Sequence, residues 1–416
     1  MKELKRVGVL LMAGILLVSV SGCKVQYQEE TTSEGETVTS KDINAVIDVR
    51  YTNEKYKDYF EYCEKAFEKA NPTVDIRLEY AQETSQYMNN IIEGSYSAET
   101  TVDVYMASDS NLGMAYLAGV AAKNPYGDFS EDNYCKTAIN ACSYGDKIIA
   151  YPLSYDTTFF VYREGFLTAE DMRTFENLKL FGENADYSSE EFMMIESIFR
   201  CDLNDIFINY GFVGAGISLG GDNGSDSSVI EILTGKTTKS IYDYLALIDY
   251  FSINSEEKYE DIINKFIEGK YLSTIVTTYD LDDIIESEVK CEMGAFPDYN
   301  ELDTSSPLSI TQCLVVNPNS DYTSIASDFA RFATYEAAFK LYEMTGTLSA
   351  RRNMQYEYSE LEKIYDSYEK SDCKNKFQYG EQVYPLIEIA LHNIIAGGNS
   401  DEELKNVEEY MIKQLK

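Results

Sequence analysis

Tryptophan is absent from the 416 residues, and histidine occurs once, at His392. Without tryptophan, any aromatic recognition surface falls to the 35 tyrosines and 19 phenylalanines. One histidine and no CxxC pair exclude the usual zinc sites, so no metal or cofactor is expected. Basic residues are scarce: 35 Lys and Arg against 71 Asp and Glu leave a formal charge of −36. A surface of that sign repels nucleic acid and anionic lipid, which removes both as partners. Beyond residue 22 no run is long and apolar enough to span a bilayer, and no internal repeat occurs.

Cysteine is present eight times but without the spacing of a disulfide framework, which belongs to smaller secreted domains. Cys135 and Cys142 are closest in sequence; on a helix they stand ~10 Å apart, beyond bridging distance. Buried free thiols are the expectation for most of them.

The N-terminus carries Lys2, Lys5 and Arg6, then an uncharged apolar core over 7–20, then Val20-Ser21-Gly22-Cys23. This is the pattern of an export signal over 1–22. The small residues before Cys23 resemble the lipobox of bacterial lipoproteins, in which that cysteine is lipidated and becomes the first mature residue. Residues 23–43 are polar, acidic and rich in Ser and Thr, and read as a flexible tether. The remainder is too long for one small core, so two lobes are expected.

The body opens with a strand at 44–51, a helix capped at Thr52 or Asn53 and stopped at Asn71-Pro72, and a strand alternating through Val74, Ile76, Leu78 and Tyr80. That is a βαβ unit. A helix near Tyr87–Ile92, a buried strand over 102–106 and a helix from Leu112 to Gly119 extend it into an α/β lobe with a mainly parallel sheet. Ligands bind at the carboxyl ends of such strands, which singles out Asn53, Asp109 and Ser110. The stretch 145–164 reads as two extended pieces, 147–152 and 158–162, around a polar crossing with Tyr155 and Asp156. Residues 168–203 read as largely helical, 211–228 as a glycine-rich loop, 240–251 and 259–268 as amphipathic helices, and 271–277 and 310–316 as strands.

The segments FEKANPTVDIRLEYA, VDVYMASDSNLGMAYLAGV, GDKIIAYPLSYDTTFFVYRE, FIEGKYLSTIVTTYDL and MGAFP occur in that order, followed by TGTLSARRN and GGNSDEELKNVEEYM. Together they resemble the extracellular solute-binding proteins of ABC importers, in the carbohydrate-binding family that includes maltose-binding protein. The resemblance is poor over 165–240, where the family's tryptophan-containing segment is missing. It implies a two-lobe periplasmic-binding-protein-like α/β fold with a hinge and a ligand cleft. The first lobe would comprise 44–153 and 311–333, the second 157–307 and 336–416, with crossings near 153–157, 307–311 and 333–336. It implies that Asp109 and Asp156 accept ligand hydroxyls and that Tyr279 stacks on a sugar ring, with Tyr155 as a further aromatic. The implied protein is a monomer, held to the membrane through a lipid on Cys23 alone, that passes its ligand to permease subunits and performs no catalysis. A cationic solute such as a polyamine, paired with Asp109 and Asp156, is the alternative ligand. A surface adhesion or structural lipoprotein is the other alternative.

Two competing motifs carry less. Gly216-Ile217-Ser218-Leu219-Gly220 fits a nucleophile elbow with His392 downstream, but that motif needs a strand before and a helix after the serine, and Gly221–Asp226 reads as loop. Asp222, Asn223 and Asp226 lack the spacing of a calcium-binding EF-hand loop.

Overall fold

The structure is a computed structural model that describes residues 44–97 and 101–415. The expected signal at 1–22, the tether at 23–43 and Cys23 lie outside those residues. Among the described residues no helix is long and apolar enough to cross a membrane.

Strand β1 (Ala45–Tyr51) buries Ala45, Ile47, Val49 and Tyr51 and turns Asp48 outward. Asn53 then caps a short helical turn, its Oδ1 accepting the Lys55 N–H at 3.0 Å. Helix α1 (Lys57–Ala70) packs Tyr59, Phe60, Cys63 and Phe67 inward at helical spacing. It stops at Asn71, whose side chain donates to the Phe67 carbonyl at 3.0 Å, and Pro72 follows. Strand β2 (Val74–Tyr80) lies parallel to β1 over its full length. Helix α2 (Tyr87–Ser95), strand β3 (Val104–Ser108), parallel to β1, and helix α3 (Leu112–Leu117) complete the expected α/β unit. Helix α4 (Lys136–Ala141) leads into a small hairpin that turns at Gly145, where φ is +58°.

The stretch 145–164 differs from its sequence reading. It is not two extended pieces around a crossing but one 13-residue strand, β4 (Tyr151–Arg163), with the polar residues inside it. Pro152 is its second residue, opposite a register shift between Gln312 and Cys313, where a missing N–H is tolerated. The strand changes partners midway. Tyr151 to Thr157 pair with β8 (Ser309–Val316), whereas Thr158 to Tyr162 pair with β6 (Tyr271–Thr277). The whole sheet runs β2-β1-β3-β8-β4-β6-β5, where β5 is Ser197–Arg200, and β7 (Cys291–Gly294) also pairs with β4. Strand β8 is antiparallel to β3, and β6 is parallel to β5.

Residues 168–203 also differ from expectation. Helix is confined to Phe175–Asn184 and a turn at Glu190–Phe192, and β5 is a strand. Tertiary pairing with β6 and burial of Phe199 against Phe160 and Phe175 override the acidic, helix-like composition. Nor is 211–228 wholly loop: helix α5 (Ile206–Val213) runs into it, and Ser218–Leu219 pairs with Ile230–Glu231.

The core follows the alternation of β4. Tyr151, Leu153, Tyr155, Phe159 and Val161 join a cluster with α1 and α7 (Glu360–Glu369). Phe160 and Tyr162 join a second with Phe175, Phe199 and Phe212, and a third covers the opposite face of β3 and β8. The fold is thus the two-lobe α/β arrangement, with β4 shared between its halves.

At Gly113 the backbone of Lys376 comes so close that an added Cβ would lie 1.7 Å from its carbonyl oxygen. Backbone cannot yield as a side-chain tip does, so Gly113→Ala is expected to destabilise the protein by about 1–3 kcal/mol or more. Urea denaturation checks this, and an unchanged midpoint would show that the segment 374–376 does not press on α3.

Candidate functional site

At the partner switch of β4, Asp156 meets the carboxyl ends of several strands. Its backbone pairs with Ile310, and its Oδ1 accepts a hydrogen bond from Thr278 Oγ1 at 3.0 Å. The same Thr278 hydroxyl oxygen accepts the Thr157 N–H at 3.1 Å, so the end of β6 is clamped to β4. Tyr279 follows Thr278 and lines the same cavity as Asp156. Tyr56 Oη and Ser154 Oγ lie 2.7 Å apart, tying the start of α1 to the same strand.

These elements enclose a cavity of about 110 Å³, lined among others by Asn53, Lys55, Glu83, Asp156, Tyr279 and Thr347. Of the residues expected from sequence, Asn53, Tyr155, Asp156 and Tyr279 come together there. Asp109 and Ser110 do not line it. Asp109 is 0% exposed, with Oδ1 accepting from the Ser110 N–H and Oδ2 from the Lys374 N–H, both at 3.0 Å. The segment pressing on Gly113 therefore also covers Asp109. Ser110 Oγ lies 2.9 Å from Ser108 Oγ.

The two aromatics differ. Tyr155 is 2% exposed and stacks flat on Tyr368, with centroids 4.1 Å apart, so most of its ring belongs to the core. Tyr279 is 58% exposed, and its nearest ring is Phe207 at 6.3 Å. It is the aromatic face available to a ligand. Sequence reasoning had not singled out Lys55, Glu83, Thr278 or Thr347 as site residues. Lys55 and Thr278 sit just past the ends of β1 and β6, the positions where strand-end reasoning looks.

Burial pushes the Asp156 carboxyl up to about 6, opposed by the Thr278 hydrogen bond, the Lys55 charge and the nearby Tyr279 hydroxyl. Desolvation outweighs all three. Burial, then the neighbouring Asp156 charge, raises the Tyr279 phenol. Lys55 also pairs with Asp282 at 3.4 Å, but both are well exposed and such a pair contributes at most about 1 kcal/mol.

A larger cavity of about 290 Å³ lies elsewhere, lined by Lys136, Asn140, Tyr210, Ser218, Asp372 and others. None of the expected ligand residues reaches it. Ser218 sits in the two-residue strand, followed by a turn rather than a helix, so the nucleophile-elbow context is missing. His392 lies on helix α8 (Val383–Ile395), and its buried Nε2 makes no hydrogen bond. Asp222 pairs with Lys136 at 3.0 Å, while Asn223 and Asp226 accept from Ser225 and Ser228 in local turns. Among the described residues no three His, Cys, Asp or Glu side chains gather as a metal site.

The profile of the bacterial extracellular solute-binding protein family matches residues 64–364. No curated protein sequence matches the chain. Among solved structures, the fold is similar to an extracellular solute-binding protein from Staphylococcus aureus in complex with maltose, at 15% identity and a TM-score of 0.78, covering 89% of this chain and 97% of that one. It is also similar to the maltose-binding periplasmic protein MalE from Listeria monocytogenes in complex with maltose, at 18% identity and a TM-score of 0.73, covering 89% and 98%. A cyclo/maltodextrin-binding protein complexed with maltotetraose aligns at 13% identity and a TM-score of 0.76, covering 92% and 99%.

The raised Asp156 value fixes the sign of a pH effect. The folded protein holds this proton more tightly than the unfolded chain, whose carboxyl titrates near 3.8. Asp156 therefore contributes stability at low pH that is lost as pH rises through about 6. The stability difference between wild type and Asp156→Asn should shift in favour of the variant between pH 4 and pH 7, measured by urea unfolding at each pH. A difference that does not move with pH would mean the carboxyl titrates normally.

Proposed function

The chain belongs to the family of bacterial extracellular solute-binding proteins, and from that premise we propose that it captures a sugar or oligosaccharide at Asp156 and delivers it to the permease of an ABC importer. The observation that carries the reading is the carboxylate at the partner switch of β4, flanked by the exposed Tyr279 ring and the Asn53 and Lys55 turn. A carboxylate accepts from adjacent hydroxyls, and an aromatic face packs on the apolar side of a pyranose. Tyr155 enters this reading as support behind the site, whereas Asp109 and Ser110 reach ligand only if the segment that covers Asp109 moves away. The lobes are 44–153 with 311–333, and 157–307 with 336–416, turning about crossings at 153–157, 307–311 and 333–336. The last of these falls in the π-helical turn Phe332–Glu336.

The cavity of about 110 Å³ is smaller than the ~300–1,000 Å³ of typical small-molecule sites, so ligand enters with the lobes apart and is enclosed on closure. No catalytic residue, metal or cofactor takes part, and the protein acts as a monomer. Lys55 on the cavity wall offsets one of its two carboxylates, Glu83 and Asp156, and so lessens the pull on a polyamine. A surface adhesin is disfavoured because the polar groups converge on an enclosed cavity rather than an exposed face. The lipobox at Cys23 anchors the protein to the outer face of the cell membrane by its lipid alone.

Maltose and maltotetraose are expected to raise the melting temperature while spermidine leaves it unchanged. A shift with spermidine alone would overturn the carbohydrate reading. Asp156→Ala should weaken sugar binding roughly 10- to 150-fold in calorimetry, the loss of a charged hydrogen bond, with the fold intact by circular dichroism. Unchanged affinity would remove Asp156 from the site. Cys23→Ser should move the protein from the membrane fraction to the medium of its host; retention at the membrane would mean another anchor.

A further inference from the structure

Cys142 and Cys313 are 171 positions apart in sequence, yet their sulfurs lie 3.2 Å from one another in the interior. Both residues are fully buried. The other described cysteines (63, 135, 201, 291 and 373) show no sulfur–sulfur contact. Both backbones are pinned. Cys142 ends helix α4, where its N–H bonds back into the helix and its carbonyl accepts the Ile149 N–H at 2.9 Å. Cys313 lies inside β8, paired with Ala107 on one side and Pro152 on the other. The sulfurs therefore face each other because the fold holds them there. Closing the gap to the ~2.05 Å of a disulfide needs the sulfurs to approach by about 1.2 Å.

The family is extracellular, and disulfides persist outside the reducing cytosol. We propose that Cys142 and Cys313 form a disulfide in the exported protein, supplied by thiol–disulfide exchange with a disulfide oxidant. One thiolate attacks the oxidant's S–S bond and releases one thiol. The second thiolate attacks the resulting mixed disulfide and releases another. Two electrons pass to the oxidant, and the two thiol protons end on its two released thiols. Because both sulfurs are buried and burial raises the Cys313 thiol, the exchange takes place while the chain folds. The link staples α4 to β8 across the cluster that contains Tyr105, Ile149 and Val315.

The test refolds the full chain with oxidised glutathione, then unfolds and alkylates it without reductant for peptide mapping. One cross-linked pair containing Cys142 and Cys313 is expected, two hydrogens lighter than the separate peptides, with Cys63, Cys135, Cys201, Cys291 and Cys373 alkylated. Recovery of Cys142 and Cys313 as alkylated thiols, or either linked to another cysteine, would overturn the assignment. Reductant should lower the wild-type melting temperature by several degrees and leave Cys142→Ala and Cys313→Ala unmoved. A reductant response that survives in both variants would place the stabilising link elsewhere.

Discussion

The fold depends on one strand satisfying its backbone in two neighbourhoods. Over 13 residues β4 extends roughly 40 Å, long enough to leave the sheet it shares with β8 and enter the one it shares with β6. Its alternation serves both halves: Tyr151, Leu153, Tyr155, Phe159 and Val161 pack toward α1 and α7, while Phe160 and Tyr162 pack toward Phe199 and Phe212. Asp156 stands where the partner changes. Its backbone is committed to Ile310 and its side chain to Thr278, so the same hydrogen bonds that carry the strand across also aim the carboxylate. On a turn the carboxylate would be well solvated; within the strand it is only partly exposed.

The few basic residues are placed with economy. Lys55 faces the Asp156 cavity, and Lys374 and Lys376 stand by Asp109. The buried Lys376 ammonium donates to the carbonyls of Asn140 and Asn223, bridging the hairpin region and the glycine-rich loop. Asn223 returns a hydrogen bond to the Gly145 carbonyl at 2.6 Å. In a chain of net charge −36, buried carboxylates without such partners would be costly. Yet Asp156 remains raised to about 6, so its donors do not fully replace water.

What was legible in the sequence was local. Period-2 alternation, an Asn cap and an Asn-Pro stop defined β1, α1 and β2 with little ambiguity, because each signal acts within a few residues. The ordered motifs carried the fold, strand-end reasoning led to Asn53, and the family resemblance implied Asp156 and Tyr279. What failed was set by distant chain. Strand β5 is four residues long and exists because β6 offers it a partner. Asp109 sits at a strand end as expected, but residues 374–376, far downstream, cover it. The sulfur contact between Cys142 and Cys313 has no local signature at all, and spacing drew attention to Cys135 instead.

The absence of tryptophan bears on how this site binds. Tyr279 is more than half in solvent and lines the same cavity as Asp156, so the aromatic face and the carboxylate stand side by side. A carboxylate offers about four acceptor positions, and Thr278 occupies one. About three remain, enough for a pair of adjacent ligand hydroxyls without displacing the protein donor. Each new hydrogen bond would replace one to water and contribute little net free energy, except that it completes the solvation Asp156 lacks. The carboxylate's incomplete satisfaction thus becomes a source of affinity: a ligand hydroxyl there gains what burial has withheld.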